Sequence, residues 1–217
     1  IRLLQTLDQD NDIDQQQAED ITAAVIDWID ADSDVSGVGG AEDSYYSELD
    51  IPMHAGNQAM HSASELRVIK GITPALYQRL LPHVTALPIG VPLNVNSASL
   101  NIIRAINEPG VLEAMSEGEA QAIINERDGD IEAGLASALN QGFDDLPAFV
   151  ASHPAASLET GSFSTNSEYF LLQTETIFLD RLYTLYSVMN RDSSGVSKTI
   201  ARGSSGLGVC TANAYKS

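Results

Sequence analysis

The chain has 217 residues, of which 43% are hydrophobic, and a formal net charge of −19 at pH 7. This hydrophobic fraction is typical of a globular protein, and the length is enough for one large domain or two small ones with real cores. The charge argues against nucleic acid as a partner, because phosphate contacts require Lys and Arg. Most of the excess acid lies in residues 1–50, which hold 14 Asp and Glu against one Arg.

Residues 1–50 predict two helices. Residues 1–7 have the character of a helix end and begin with Ile1 rather than Met, so we expect a fragment whose N-terminal part has been removed. Asp14 is the expected N-cap of the second helix, where a carboxylate suits both the free amides and the helix dipole. Apolar side chains then recur at spacings of three and four, which is the period of one helix face: Ala18, Ile21, Val25 and Trp28.

An acidic loop follows this helix. Its candidate metal ligands fall within fourteen positions, among small residues and glycines: Asp30, Asp32, Asp34, Glu42 and Asp43. Such a loop is costly unless a cation offsets the repulsion, and calcium accepts six to eight oxygen ligands in irregular geometry. An EF-hand does not fit, because the sixth and twelfth positions from Asp30 are Val35 and Ala41 instead of Gly and Glu. A solvated acidic loop without metal is the alternative.

Residues 62–130 predict short helices separated by glycine turns, an arrangement that resembles two helix-hairpin-helix units. Helix starts are marked by three capping patterns: Ser62 with Glu65, Thr73 with Pro74, and Ser116 with Glu119. Helix-hairpin-helix units commonly bind the DNA backbone through turn amides flanked by Lys and Arg. Here Lys70 offers little positive charge at the first turn, and Glu113 near the second turn would repel phosphate. A helical scaffold with a protein-facing surface is therefore favoured.

Residues 162–217 predict an antiparallel meander of three strands. The residues from Phe170 to Phe178 alternate with a period of two, and further runs follow at 182–189 and 196–201, with a turn after Arg191. We expect the Trp28 helix to cover the apolar face of this sheet. The predicted fold class is α+β: one domain from residues 1–50 and 162–217, interrupted by an all-α insertion at 51–161.

Five spaced segments carry a resemblance to a known family. They are DWIDAD at 27–32, GAEDSYY at 40–46, SELRVIKG at 64–71, LNVNSA at 93–98 and TNSEYF at 165–170. In this order they resemble the K-type minor pseudopilins of the bacterial type II secretion system, and the likeness spans about residues 1–202. The Gly/Ser-rich tail beyond it, with the single cysteine Cys210, has no counterpart that we can place.

The resemblance implies a pilin-like α/β domain with a large helical insertion and one or two calcium ions in the acidic loop. Carried onto this sequence, the calcium ligands would be Asp32, Asp34, Glu42 and Asp43, with Asp30 less firmly placed. Thr165 and Asn166 are added because the start of the first strand should return beside the loop and supply neutral oxygens.

The resemblance also implies a structural role without catalysis. The protein would lie in the periplasm at the tip of a short pseudopilus, in contact with the I and J types of minor pseudopilin. A membrane helix absent from this fragment would anchor it in the inner membrane before extraction.

Two other functions stay open. One is a helix-hairpin-helix module that binds nucleic acid, which the net charge disfavours. The other is a hydrolase in which Asp32 and Glu42 hold a metal-bound water. The sequence contains no nucleophile elbow, P-loop or HExxH motif that would specify such chemistry.

Overall fold

The structure is a computed structural model that describes residues 1–7, 13–108, 110–128, 142–152 and 161–204. The tail with Cys210 lies outside these residues. Within the described ranges, no helix combines the length and apolar character that crossing a membrane requires.

The first two helices follow the predicted pattern. Helix α1 spans Arg2–Thr6, and α2 spans Gln15–Ile29. Asp14 caps α2 as predicted: its carboxylate accepts a hydrogen bond from the backbone N–H of Gln17, and the Gln17 side chain accepts one from the N–H of Asp14. The predicted apolar stripe is confirmed as the buried face of α2, with Val25 only partly covered. At Asp30 the backbone becomes extended and the helix ends.

Short helices then alternate with loops in the described chain up to residue 152. They are α3 (Asp43–Tyr46), α4 (Pro74–Leu80), α5 (Leu100–Ala105), α6 (Glu117–Asp128), α7 (Leu146–Ser152) and the 3-10 helices Ala63–Val68 and Leu81–His83. The three predicted capping patterns form their expected hydrogen bonds. Gly71 in the first predicted turn has a φ of +84°, a conformation that glycine adopts without strain.

The strands form two separate sheets. Strand β1 (Leu93–Asn94) pairs in parallel with β2 (Phe163–Ser164). The predicted antiparallel meander is confirmed as β3 (Tyr169–Phe178), β4 (Arg181–Arg191) and β5 (Ser197–Gly203), in the order β3–β4–β5. Gln173 lies opposite Tyr186, and the β4–β5 register shifts between Val188 and Met189.

Two hydrophobic clusters lie in the helical part of the chain. The first joins α1 and α2 to Tyr46 and to buried residues between Leu66 and Leu80. The second extends from Val95 to Phe149, where the ring of Phe149 meets Phe143 edge-on at a centroid distance of 5.0 Å. The packing therefore groups residues 51–84 with the first segment, whereas the predicted insertion begins at residue 51.

The prediction that the Trp28 helix covers the antiparallel sheet is wrong. Trp28 packs edge-on against Tyr46 at a centroid distance of 5.2 Å, and its cluster contains no residue of β3, β4 or β5. Large apolar side chains on the sheet are exposed, including Ile177 (76%) and Leu182 (60%). The physical reason is that apolar side chains close in sequence, between Tyr46 and Leu80, already bury the face of α2.

Candidate metal centre

The acidic loop leaves α2 at Asp30 and returns to the helix at Ala41. Its return is fixed by the buried carboxylate of Asp27, which accepts hydrogen bonds from the backbone N–H of Ser36 (2.9 Å) and of Ala41 (2.7 Å). The N–H of Gly40 donates to the carbonyl of Ser36 at 3.1 Å and closes the turn. The chain therefore places Glu42 beside the end of α2.

Three of the predicted ligands meet in space. Asp30, Asp32 and Glu42 each offer one carboxylate oxygen, and these oxygens lie within 4.8 Å of one another. Glu42 is only 3% exposed, and both of its carboxylate oxygens are buried without a hydrogen-bond partner, as is one oxygen of Asp30. Buried polar atoms normally have partners, so these oxygens are the feature that a bound cation explains best. Three converging carboxylates suit a hard cation such as calcium.

The pKa shifts of the loop carboxyl groups also favour a cation site. Burial raises the pKa of the Glu42 carboxyl, and the nearby carboxylates of Asp27, Asp30, Asp32 and Asp43 raise it further. Burial, together with Asp32 and Asp27, also raises the pKa of Asp30. In the absence of a cation, these two carboxyl groups therefore hold a proton more tightly than a free carboxyl group does.

The side chain of Lys70 brings a positive charge close to the acidic loop. The Lys70 ammonium donates a hydrogen bond to the carbonyl of Gly40 at 3.1 Å and lies 5.2 Å from the centre of the Tyr45 ring. Lys70 thus offsets part of the loop's negative charge and holds the loop against the first hydrophobic cluster.

The structure does not bring the other two acidic candidates into the three-residue cluster. Asp43 accepts hydrogen bonds from the backbone N–H of Ala55 (2.7 Å) and pairs with the His54 ring nitrogen Nδ1 (2.9 Å). These two interactions lower the pKa of Asp43. Asp34 is exposed, and its N–H donates to a carboxylate oxygen of Asp32 at 2.9 Å. Their role as ligands stays a prediction.

Thr165 and Asn166 lie at the start of the sheet, beside the second cluster. The Thr165 carbonyl accepts a hydrogen bond from the Asn96 side chain at 3.1 Å, and its hydroxyl donates to the carbonyl of Asp144 at 3.4 Å. The N–H of Asn166 donates to the Ser164 hydroxyl at 3.0 Å. The two Thr165 hydrogen bonds connect the end of β2 to Asn96 and Asp144. The proposed ligand role of Thr165 and Asn166 stays a prediction.

Sequence reasoning missed Asp27 and Lys70. A signal for Asp27 was present, because it stands directly before Trp28 and next to the apolar stripe, where an acidic side chain requires a partner. No comparable signal marked Lys70, whose contact with Gly40 joins residues thirty positions apart.

Comparison with known proteins agrees with the resemblance. Residues 1–89 match the family model described as Type II secretion system (T2SS), protein K. Over 213 residues the chain is 33% identical to Type II secretion system protein K of Pseudomonas aeruginosa, an alignment that covers 96% of this chain and 57% of that protein. The protein of the same name from Pectobacterium carotovorum subsp. carotovorum is 40% identical over 129 residues, which is 58% of this chain and 37% of the relative.

A solved structure also resembles the fold. It is described as the crystal structure of the GspK-GspI-GspJ complex from the enterotoxigenic Escherichia coli Type 2 Secretion System. The TM-score is 0.72 at 25% sequence identity, with 93% of this chain and 68% of the other covered. The chain spans about half the length, or less, of the curated relatives that it matches. The family-model match, the sequence identities and the shared fold together show that this chain is similar to type II secretion system protein K.

Proposed function

We propose that the chain is part of a non-enzymatic minor pseudopilin that assembles with I-type and J-type pseudopilins at the tip of the type II secretion pseudopilus. The observation that carries this proposal is the structural neighbour, which was solved as a GspK-GspI-GspJ complex and whose fold matches 93% of this chain. The similarity to type II secretion system protein K favours this structural role over the nucleic-acid and hydrolase hypotheses. A net charge of −19 also disfavours a DNA complex.

On the same ground we propose a periplasmic location at the inner membrane, as expected for a pseudopilus component. The large helical segment, which we predicted as an insertion at residues 51–161, would lie at the outer end of the filament and block the addition of a further subunit. The second hydrophobic cluster, which extends from Val95 to Phe149, gives this segment a core and a defined shape, which a steric cap requires.

The proposed role includes calcium, with one or two ions in the acidic loop. Asp30, Asp32 and Glu42 would hold the ion, because their oxygens converge and three of those oxygens lack partners. Asp34 and Asp43 are the next candidates in the same loop. Bound calcium would supply positive charge that offsets the repulsion, so that its binding free energy adds to the stability of the fold.

Assembly is tested by mixing the purified chain with the soluble parts of the I-type and J-type pseudopilins from the same organism. Size-exclusion chromatography with light scattering, in calcium, should give one species that contains all three proteins. Elution of this chain at its own mass in the presence of both partners would contradict the assembly proposal. Retention on a DNA column at low salt, or turnover of an ester or phosphate substrate, would instead revive the alternatives.

A further inference from the structure

Asp27 is an acidic side chain in an unfavourable place. It is completely buried in the last turns of α2, where a negative charge opposes the helix dipole. The loop around it is rich in carboxylates, and Asp27 is among the groups that raise the pKa of Glu42 and Asp30. A buried carboxylate among other carboxylates costs folding free energy, so its contacts must account for its presence.

Its two carboxylate oxygens contact different ends of one loop segment. One oxygen accepts the N–H of Ser36 and the other accepts the N–H of Ala41. We propose that Asp27 is a positioning residue of the metal centre, which holds residues 36–41 as a closed turn and thereby places Glu42 beside Asp30 and Asp32. The inference rests on the proposed calcium function.

The packing of the turn leaves little freedom for another arrangement. A Cβ atom built on Gly40 would collide with the Asp27 carboxylate oxygen that accepts the Ala41 N–H. A Cβ built on Gly39 would collide with the backbone of α2 at Asp20. The loop therefore approaches α2 as closely as glycine permits, and the position of the Asp27 carboxylate determines the path of the chain into Glu42.

Both carboxylate oxygens of Asp27 already accept hydrogen bonds from the loop, so Asp27 would act on the metal through the loop and not as a ligand. Residues of this kind orient the ligands of a metal, and their loss typically weakens metal affinity by about 10–100-fold. In Asp27→Asn, the side chain keeps its size but has one oxygen and one amide nitrogen. One of the two loop amides then faces an NH₂ group and loses its acceptor.

The test is a calcium titration of the 217-residue chain, followed by the fluorescence of Trp28, the residue next to Asp27. We expect Asp27→Asn to raise the calcium Kd at least about tenfold. Gly40→Ala should raise it in the same direction without any change of charge. Two matched controls should leave the Kd unchanged: Glu19→Gln, which removes one charge from the same helix, and Gly118→Ala, where an added Cβ meets nothing within 4 Å.

The Kd is paired with melting temperatures in EGTA, because a merely structural role would lower stability without weakening calcium binding. An unchanged Kd in both Asp27→Asn and Gly40→Ala, while the wild type binds calcium, would overturn the positioning role alone. An equal rise in Kd in Glu19→Gln would also overturn it, since charge alone would then explain the effect. Absence of calcium binding by the wild type would overturn both this inference and the calcium part of the proposed function.

Discussion

A carboxylate oxygen of Glu42 lies within 4.8 Å of a carboxylate oxygen of Asp30, and each side chain has at least one buried oxygen without a hydrogen-bond partner. Two such groups repel each other when both are ionised, and burial strengthens the repulsion. The calcium-free loop therefore works against the stability of the fold. The loss of unfolding free energy that this repulsion causes can be measured as a function of pH.

In buffer freed of calcium beforehand, the stability of the protein should fall as the pH rises from about 4.5. The pKa of Glu42 is raised in the folded protein above its ordinary value of 4.5, so the folded state binds the proton more tightly than the unfolded state does. Stability is therefore higher at low pH and is lost as the pH rises through the raised pKa. The measurement is urea unfolding across pH 4.5–7.5, with Glu42→Gln as the comparison.

Glu42→Gln should be less sensitive to pH over this range, because the titrating group is gone. Asp43 has a lowered pKa, and its contribution has the opposite sign, but that contribution is lost only as the pH falls toward and below 3.8. Equal pH dependence in the wild type and Glu42→Gln would contradict the role given to Glu42.

A second prediction concerns the hydrogen bond from the Trp28 indole to Glu65, at 3.1 Å. Glu65 also accepts the backbone N–H of His61 (2.7 Å) and Ser62 (3.1 Å). Burial opposes ionisation of Glu65, but these hydrogen bonds outweigh it and lower the pKa. Glu65→Ala should cost about 1.5–3 kcal/mol of unfolding free energy, because three donors lose a charged acceptor.

Chemical denaturation followed by Trp28 fluorescence provides the measurement. The matched control is Glu48→Ala at an exposed position, where we expect a change within about 0.5 kcal/mol. If both substitutions have the same small effect, Glu65 does not anchor the indole.

A third prediction concerns Arg2, which links α1 to the second cluster. Its guanidinium donates to the backbone carbonyls of Ala105 (3.2 Å), Asn107 (3.1 Å), Glu108 (2.7 Å) and Val111 (2.7 Å). Lysine has a single nitrogen and cannot reproduce this spread of donors. Arg2→Lys should lower the unfolding free energy by about 1.5–3 kcal/mol, although the charge is kept.

Arg202→Lys, at an exposed position on β5, is the control for this substitution. Hydrogen exchange should also show faster exchange in residues 105–115 of Arg2→Lys, with residues 15–29 less affected. Unchanged stability and exchange would show that the four hydrogen bonds do not hold the segment.

Local features of the fold could be predicted from the sequence because they depend on neighbouring residues. Asp14 and Ser62 cap their helices as expected, and alternation from Phe170 to Phe178 indicated a strand. The apolar stripe on α2 correctly predicted a buried face but could not identify what covers it. Tyr46 and the segment around Leu76 cover Trp28 and its neighbours, whereas we expected the sheet, because periodicity carries no information about the partner.

The candidate site was predictable in part. The carboxylate spacing marked the loop, and Asp30, Asp32 and Glu42 do converge. Asp43 is instead held by His54 and Ala55, residues eleven and twelve positions away, through loop geometry that no periodic pattern encodes. The run of carboxylates suggested calcium, the resemblance to the family supported it, and the buried Glu42 oxygens without hydrogen-bond partners give the hypothesis a physical basis.

The most direct test of the central claim is thermal unfolding of the wild type, Glu42→Gln and Glu48→Gln, each in EGTA and in calcium. Calcium at one hundred times its Kd should stabilise the wild type by about 2.7 kcal/mol, which corresponds to a rise in Tm of about 5–10 °C. Glu48→Gln should behave like the wild type. Glu42→Gln should melt no lower than the wild type in EGTA, because repulsion is relieved, and should lose the calcium response. A wild type that does not respond to calcium, or an equal response in Glu42→Gln, would contradict a metal centre at this loop.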